Sequence, residues 1–252
     1  MKQVVLIFLV LGIVACESSS PVGPLVTSSE TNPSMSAGGT VGIGQTTQEF
    51  PFKRILCFGD SLTYGTTSRV GVFLPTLTAV EGYVPKLARL LSQEYGEGLE
   101  LINSGIGGET STEGLDRLAG ELRLYNPDLV LLLEGIVDVN SSNPRFPLVR
   151  ANLNEMIRRI LRSGSQVIVA TYPPLNPEGF RINGIENVPR LNDVIRQEAK
   201  QQDVLIADHE IDWGGNMSAQ GPDGLHPNDS GYEMMAATWL NSIQALLEKI
   251  ST

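Results

Sequence analysis

The sequence is poor in residues that several common kinds of site require. It contains two histidines and two cysteines among 252 residues, so histidine bases can be counted and a disulfide framework is excluded. Aromatic residues make up 6%, too few for a long carbohydrate-binding groove. Lysine and arginine total 18 against 28 acidic residues, which gives a net charge of −10. An acidic chain without a basic cluster is a poor partner for nucleic acid and for anionic lipid surfaces.

The N-terminal apolar run is also short. Val4–Val14 spans eleven residues, too few to cross a bilayer. It follows Lys2 and ends in Ile13-Val14-Ala15-Cys16, which resembles the lipobox of a bacterial lipoprotein signal peptide. We therefore predict a signal peptide over residues 1–16, with Cys16 acylated and the protein lipid-anchored to a membrane of the bacterial cell envelope, on its periplasmic or surface face. An ordinary secretory signal that happens to contain a cysteine is the alternative.

The rest of the chain divides into a tether and one domain. Residues 17–50 are rich in Ser, Thr, Gly and Pro and lack hydrophobic periodicity, which is typical of a flexible tether. Residues 51–252 have an ordinary globular composition and suffice for a single domain with a sizeable core. If Cys16 is lipidated, Cys57 has no partner within the chain, and we predict that it is a small buried apolar residue.

Short apolar runs alternate with helical patterns through the domain. This alternation predicts a three-layer α/β/α sandwich around a flavodoxin-like, five-stranded parallel sheet in the order 2-1-3-4-5. The predicted strands are Arg54–Phe58, Leu99–Asn103, Leu129–Leu133, Gln166–Ala170 and Val204–Ala207. The predicted helices are Tyr83–Glu94, Ser111–Leu124, Leu148–Leu161 with a C-cap at Gly164, Val188–Gln201, and Asn228–Ile250 with Asn228 as N-cap.

A serine, a histidine and a carboxylate are placed where a hydrolytic site would need them. Ser61 follows the first predicted strand directly, at the sheet edge where α/β proteins build sites. Asp223 precedes His226 by three residues, with Gly224 between them to permit a tight turn. A serine nucleophile needs a base, and the base needs an orienting carboxylate. The alternative is that Ser61 merely caps a helix. His209, the other histidine, is predicted to lie at the surface or to support the site through another residue.

The glycine-rich segment after the second strand, residues 103–110, matches neither the Rossmann nor the P-loop spacing and contains no lysine. We therefore expect no nucleotide there. A backbone N–H from this segment can instead face the oxyanion of an acyl-transfer transition state. A glycine-rich turn without function is the alternative.

Four ordered motifs together resemble the SGNH hydrolases, the GDSL esterase/lipase superfamily. They are Gly59–Thr63 (GDSLT), Gly108-Glu109-Thr110, Gly135-x-x-Asp138 and Asp223-x-x-His226. The resemblance covers residues 53–250 and implies a flavodoxin-like fold and hydrolysis of esters or thioesters without a metal or cofactor. It implies Ser61 as nucleophile, His226 as base and Asp223 as orienting carboxylate. It also implies oxyanion donors at the N–H groups of Ser61 and Gly108 and at an asparagine side chain.

That last position departs from the family pattern. Where Gly-x-Asn-Asp is expected, the chain has Val137 before Asp138, and valine has no donor. Losing one oxyanion donor costs on the order of 10²–10³ in kcat in a serine protease. Three outcomes stay open: a slower enzyme, a donor supplied from elsewhere with Asn140 as the candidate, or a chain that is not an active hydrolase.

The substrate class is the least constrained prediction. Two segments, Thr66–Val80 and Tyr172–Phe180, carry apolar side chains and are placed to wall an acyl pocket, unless they simply pack on the core. We expect a serine esterase acting on small acyl esters or thioesters, of the lysophospholipase, thioesterase or arylesterase kind. A polysaccharide O-acetyl esterase and a catalytically weak ligand-binding relative are the alternatives.

Overall fold

A computed structural model describes residues 50–67, 76–77 and 82–252. The predicted signal peptide with Cys16, and the tether apart from Phe50, lie outside the described residues. So does most of the predicted wall segment Thr66–Val80. Phe50, placed by the sequence analysis at the end of the tether, is buried and stacks on Tyr95 with ring centroids 4.4 Å apart.

The described chain alternates strands and helices. The strands are β1 Arg54–Gly59, β2 Thr66–Thr67, β3 Thr76–Leu77, β4 Glu100–Gly105, β5 Leu129–Leu133, β6 Gln166–Ala170 and β7 Leu205–Ala207. The α-helices are α1 Ser61–Tyr64, α2 Tyr83–Tyr95, α3 Ser111–Tyr125, α4 Ile136–Val139, α5 Phe146–Arg162, α6 Val188–Gln201, α7 His209–Trp213 and α8 Asp229–Ile250. Short 3₁₀ turns lie at Ile185–Asn187 and Met217–Ala219.

Five strands form one parallel sheet in the spatial order β4-β1-β5-β6-β7. Counted along the chain, this is the predicted order 2-1-3-4-5, so the fold-class prediction is confirmed. Every residue of β5 is buried, as its uninterrupted apolar sequence predicts for a central parallel strand. The order reverses between β1 and β5, and this switch point is where α/β sheets bind ligands.

Helices cover both faces of the sheet. Helices α2 and α8 pack together in one group, and α3, α5 and α6 pack together in another. Helix α3 begins with a capping box, because the Thr110 hydroxyl accepts from the Glu113 N–H at 3.4 Å and the Glu113 carboxylate accepts from the Thr110 N–H at 2.9 Å. Asn228 caps α8 as predicted, by accepting from the Gly231 N–H.

The structure differs from the sequence prediction in a few local features. Strand β4 continues to Gly105, two residues past its predicted end, because it keeps pairing with β1 as far as Gly59. The C-cap of α5 is Ser163 rather than Gly164, which follows in a left-handed conformation with φ of 90°. The short antiparallel pair β2–β3 was not predicted. Cys57 is a buried free cysteine, as predicted. Within the described ranges, no helix is both long and apolar enough to span a bilayer.

Candidate active site

The turn between β1 and α1 presents Ser61. Asp60 caps α1 by accepting the Leu62 N–H on Oδ1 at 2.9 Å, so Ser61 is the first helical residue. An N–H in this position has no partner inside the helix and stays available as a donor. Gly59 is required here, since a Cβ would lie 2.3 Å from the Leu133 carbonyl oxygen on β5. The alternative in which Ser61 caps the helix is wrong, because Asp60 does so.

The structure brings Ser61, His226 and Asp223 into one hydrogen-bonded line. His226 Nε2 lies 3.0 Å from Ser61 Oγ, and His226 Nδ1 lies 2.6 Å from Asp223 Oδ2. A carboxylate at Nδ1 favours the tautomer that carries its proton there. Nε2 is then free to accept the proton of the serine hydroxyl. The line joins residues 165 positions apart in the chain.

A tight turn fixes Asp223 beneath the histidine. Asp223 Oδ1 accepts the N–H groups of Leu225 and His226 at 3.0 and 2.9 Å. Burial alone would raise the pKa of Asp223, but its hydrogen bonds with His226 and with these amides hold that pKa below its ordinary value. Gly224 has φ of 80°, and a Cβ there would lie 2.4 Å from the Asn176 carbonyl oxygen. The carboxylate therefore stays ionised and correctly aimed.

A buried hydrogen bond from the loop that follows β6 supports the nucleophile turn. The Tyr172 hydroxyl donates to Asp60 Oδ2 at 2.6 Å, and both residues are fully buried. The Asn192 side chain of α6 in turn holds the backbone N–H and C=O of Tyr172, at 2.8 and 2.9 Å. Burial raises the pKa of Asp60, although the Tyr172 hydroxyl and the Leu62 N–H counteract it. Sequence analysis gave Tyr172 no such role.

A cluster of acidic groups lies close to the same turn. Glu134, which directly follows β5, is buried, and its carboxyl group lies against that of Glu109. Burial, followed by the nearby charge of Asp60, raises the pKa of Glu134 well above its ordinary value. An unpaired buried charge is very costly, so we expect Glu134 to be neutral. Glu109 differs, because Arg117 pairs with both of its oxygens at 2.6 Å.

A cavity of about 390 Å³ opens beside Ser61 and His226. Gly107 and Gly108, from the glycine-rich segment, line it together with Val137 of α4. The structure records no hydrogen bond from the Gly108 N–H to any described residue. Ser61, Gly108 and Val137, the three positions of the predicted oxyanion hole, therefore line the same cavity. The Val137 side chain supplies no hydrogen-bond donor there.

Asn140 also lines the cavity, but its side chain has other partners. Its Nδ2 donates to the Arg181 carbonyl oxygen at 3.3 Å, and its Oδ1 accepts the Gly184 N–H at 3.0 Å. The amide thus holds the loop that follows β6. Its suggested role as an oxyanion donor stays a prediction, for which at most one Nδ2 hydrogen is left.

Three further wall residues come from separate parts of the chain: Thr66, Arg181 and Leu225. Sequence analysis named Thr66 only as the start of a wall segment and did not single out the other two. Arg181 lies in the loop that follows β6, where Tyr172–Phe180 was expected to supply an apolar wall. That expectation is not met by the described side chains. Tyr172 and Leu175 are buried, and Phe180 is 63% exposed and does not line the cavity.

The second histidine is far less accessible than predicted. His209 is buried, not a surface residue, and its ring meets the Trp239 ring edge-on at 5.3 Å. Neither ring nitrogen forms a hydrogen bond within the described part of the chain, so His209 does not orient any described residue of the site. Burial lowers the pKa of His209 to about 3. The cause is tertiary, because α8 covers a helix start that looks polar in sequence.

Two other features help to locate the chemistry. A larger cavity of about 560 Å³ lies between α2 and α8, but its lining contains no histidine and no serine–base pair. Among residues 50–67, 76–77 and 82–252, no group of three or more His, Cys, Asp or Glu side chains could hold a metal ion. The smaller cavity at Ser61 is thus the candidate active site.

Comparison with known proteins gives a consistent result. Residues 57–234 match the model of the GDSL-like lipase/acylhydrolase family. A multidomain esterase of Ruminococcus flavefaciens is 27% identical over 225 residues, which are 77% of this chain and 29% of that protein. An arylesterase of Vibrio mimicus is 33% identical over 119 residues, 46% of this chain and 53% of that protein. The chain thus spans only part of the length of these relatives.

The fold matches solved structures over a similar range. The crystal structure of the lipase/acylhydrolase from Enterococcus faecalis superposes with a TM-score of 0.67 at 26% identity. The match covers 77% of this chain and 96% of that one. The five-stranded sheet and its helices are therefore shared with this enzyme.

Proposed function

The chain belongs to the GDSL-like lipase/acylhydrolase family, and on that premise we propose that it hydrolyses carboxylic esters with Ser61 as the nucleophile. One observation carries the proposal, the continuous line from Ser61 Oγ through the His226 ring to Asp223. A serine hydroxyl becomes an effective nucleophile only when a base takes its proton.

The geometry supports a two-step mechanism. Ser61 Oγ attacks the ester carbonyl carbon while His226 Nε2 takes its proton, and the carbonyl oxygen becomes an oxyanion. The tetrahedral intermediate expels the alcohol, which takes the proton from Nε2, and an acyl-serine remains. Water then attacks the acyl group, with His226 again accepting and returning a proton. Asp223 keeps the ring oriented and stabilises its charged form.

We assign the oxyanion to the N–H groups of Ser61 and Gly108. The first belongs to the first turn of α1, and the second belongs to a segment that lines the same cavity. Donors aimed at the developing charge lower the barrier more than they strengthen substrate binding. Val137 adds no third donor, so we expect a lower kcat than an otherwise equal site with an amide there.

The substrate class that we favour is a small acyl ester or thioester. A polysaccharide O-acetyl esterase is the second candidate, because Arg181 lines the cavity and an arginine side chain can bind sugar hydroxyls. Rates on p-nitrophenyl esters of increasing chain length separate the two, since an O-acetyl esterase would act almost exclusively on acetate. Turnover that depends on Ser61 would exclude a ligand-binding protein without activity.

The experiment that tests the site is labelling with a fluorophosphonate. We expect the label on Ser61 by mass spectrometry, together with complete loss of esterase activity. Ser61→Ala should abolish both. Ser230→Ala is a matched control, because Ser230 is exposed in the first turn of α8 and its hydroxyl donates to Asn228 Oδ1, away from the candidate site. Labelling of another serine, or full activity in Ser61→Ala, would refute the assignment.

We further propose that the protein is a lipoprotein of the bacterial cell envelope, anchored through Cys16. The support is the sequence Ile13–Cys16 at the end of the short apolar run. The lipid chains would hold the domain at a membrane without a spanning helix. Residues 17–50 would then serve as the tether between the anchor and the enzyme.

A further inference from the structure

One charged side chain on the cavity wall has no partner within the described part of the chain. Arg181 is partly buried, and no hydrogen bond or ion pair joins its guanidinium to another described residue. Thr66 also lines the cavity, but its Oγ1 is buried away from any ligand there. An arginine without a partner beside a nucleophile is suited to a ligand that pairs with it.

The position of Arg181 is fixed relative to the reacting groups. Its N–H donates to the Asp223 carbonyl oxygen at 2.8 Å, and its own carbonyl accepts from Asn140 Nδ2 at 3.3 Å. Asp223 is also the residue that orients His226. The arginine backbone is therefore tied to the same loop as the catalytic base, and its side chain can be changed without removing these backbone contacts.

Arg181 differs from the other residues of the cavity wall by its positive charge. Arg181 is the only wall residue with a permanent charge among those described. Several other arginines are paired with carboxylates, such as Arg117 with Glu109 and Arg196 with Asp208. The protein as a whole carries −10, which disfavours anionic ligands at a distance. The positive charge of Arg181 at the cavity wall reverses that preference locally.

Building on the proposed esterase function, we propose that the natural substrate is an ester bearing a second, anionic oxygen group, a carboxylate or a phosphate. Arg181 binds this group. The planar guanidinium matches either oxyanion by a forked pair of hydrogen bonds. The apolar side chains of Val137 and Leu225 contact the carbon skeleton between the two ends.

Matched ester pairs test the proposal on the wild-type protein. On the alcohol side, 4-acetoxybenzoate and 4-acetoxyphenyl phosphate are each compared with phenyl acetate, which separates carboxylate from phosphate. On the acyl side, mono-4-nitrophenyl adipate is compared with 4-nitrophenyl hexanoate. We expect kcat/KM to favour the anionic member of at least one pair by about 10-fold to 100-fold, the range of hydrogen bonds to charged groups.

Variants then assign the preference to Arg181. Arg181→Gln should lower the anionic-to-neutral ratio of kcat/KM by at least about tenfold, and Arg181→Lys should keep part of it. Arg89→Gln is the matched control, since Arg89 is exposed on α2 and its loss changes the net charge equally. That variant should leave the ratio unchanged.

Two results would overturn the proposal. One is a wild-type enzyme that prefers the neutral member of every pair, which decides the matter even if Arg181→Gln does not fold. The other is an equal change of the ratio in Arg181→Gln and Arg89→Gln, because bulk charge would then explain it. Either result leaves the esterase function intact as long as phenyl acetate is hydrolysed. No hydrolysis of any ester would instead refute the proposed function.

Discussion

Replacing Val137 by asparagine would add a side-chain hydrogen-bond donor for the oxyanion, which valine lacks. Val137 is partly buried in α4 and lines the space beside Ser61 and Gly108. An amide at this position can reach an oxyanion that now has two backbone donors. Because the side chain borders a cavity, the longer amide need not displace the core. We therefore expect Val137→Asn to fold with little change in stability.

The expected gain follows from the worth of one hydrogen bond. A hydrogen bond to a charged group contributes roughly 1.5–3 kcal/mol net, and 1.4 kcal/mol corresponds to about tenfold in rate. We expect kcat to rise by about tenfold, with KM nearly unchanged, because the bond forms mainly in the transition state. The gain should fall short of the 10²–10³ lost when a preorganised donor is removed, since nothing here orients the new amide.

The assay compares kcat and KM for phenyl acetate across three variants. Val137→Leu is the matched control, because leucine has nearly the shape of asparagine and no donor. If Asn140 already serves the oxyanion, Asn140→Ala should cost about 10²-fold and Val137→Asn should do little. Equal rates in Val137→Asn and Val137→Leu, with Asn140→Ala also unaffected, would refute our placement of the oxyanion beside α4.

Two other predictions concern the anchor and a buried histidine. Cys16→Ser should abolish lipidation and release the protein from membrane fractions, and wild-type protein that is soluble and begins elsewhere than at Cys16 would contradict the lipoprotein assignment. Burial lowers the pKa of His209 from 6.5 to about 3, so its neutral form stabilises the fold above pH 6.5, and this stabilisation is lost as the pH falls. At pH 5 this should lower the free energy of unfolding by about 2 kcal/mol. Urea unfolding should show the decrease in the wild type and not in His209→Phe. If the free energies of unfolding of the two proteins change with pH in parallel, the prediction is wrong, because His209 then has the same pKa in the folded and unfolded states.

Local chemistry in the sequence was enough to predict the framework. Strand β5 and helix α6 have the predicted bounds, since one is uninterrupted apolar sequence and the other carries a clear amphipathic repeat. The strand order followed from the right-handed connections that such units require. Ser61, Asp223 and His226 were identified because each stands in a short motif whose spacing limits the chemistry it can perform.

Tertiary structure alone decided what surrounds these residues, because the contacts join distant parts of the chain. Tyr172 bonds to Asp60 across 112 positions, and no local pattern marks either partner for the other. Asn140 binds the loop at Arg181 and Gly184 instead of standing free, which depends on how the loop after β6 folds back. The same return of the loop brings Arg181 to the wall of the cavity. The burial of His209 also depends on tertiary contacts, because this residue lies in polar sequence and becomes buried only when α8 packs over it.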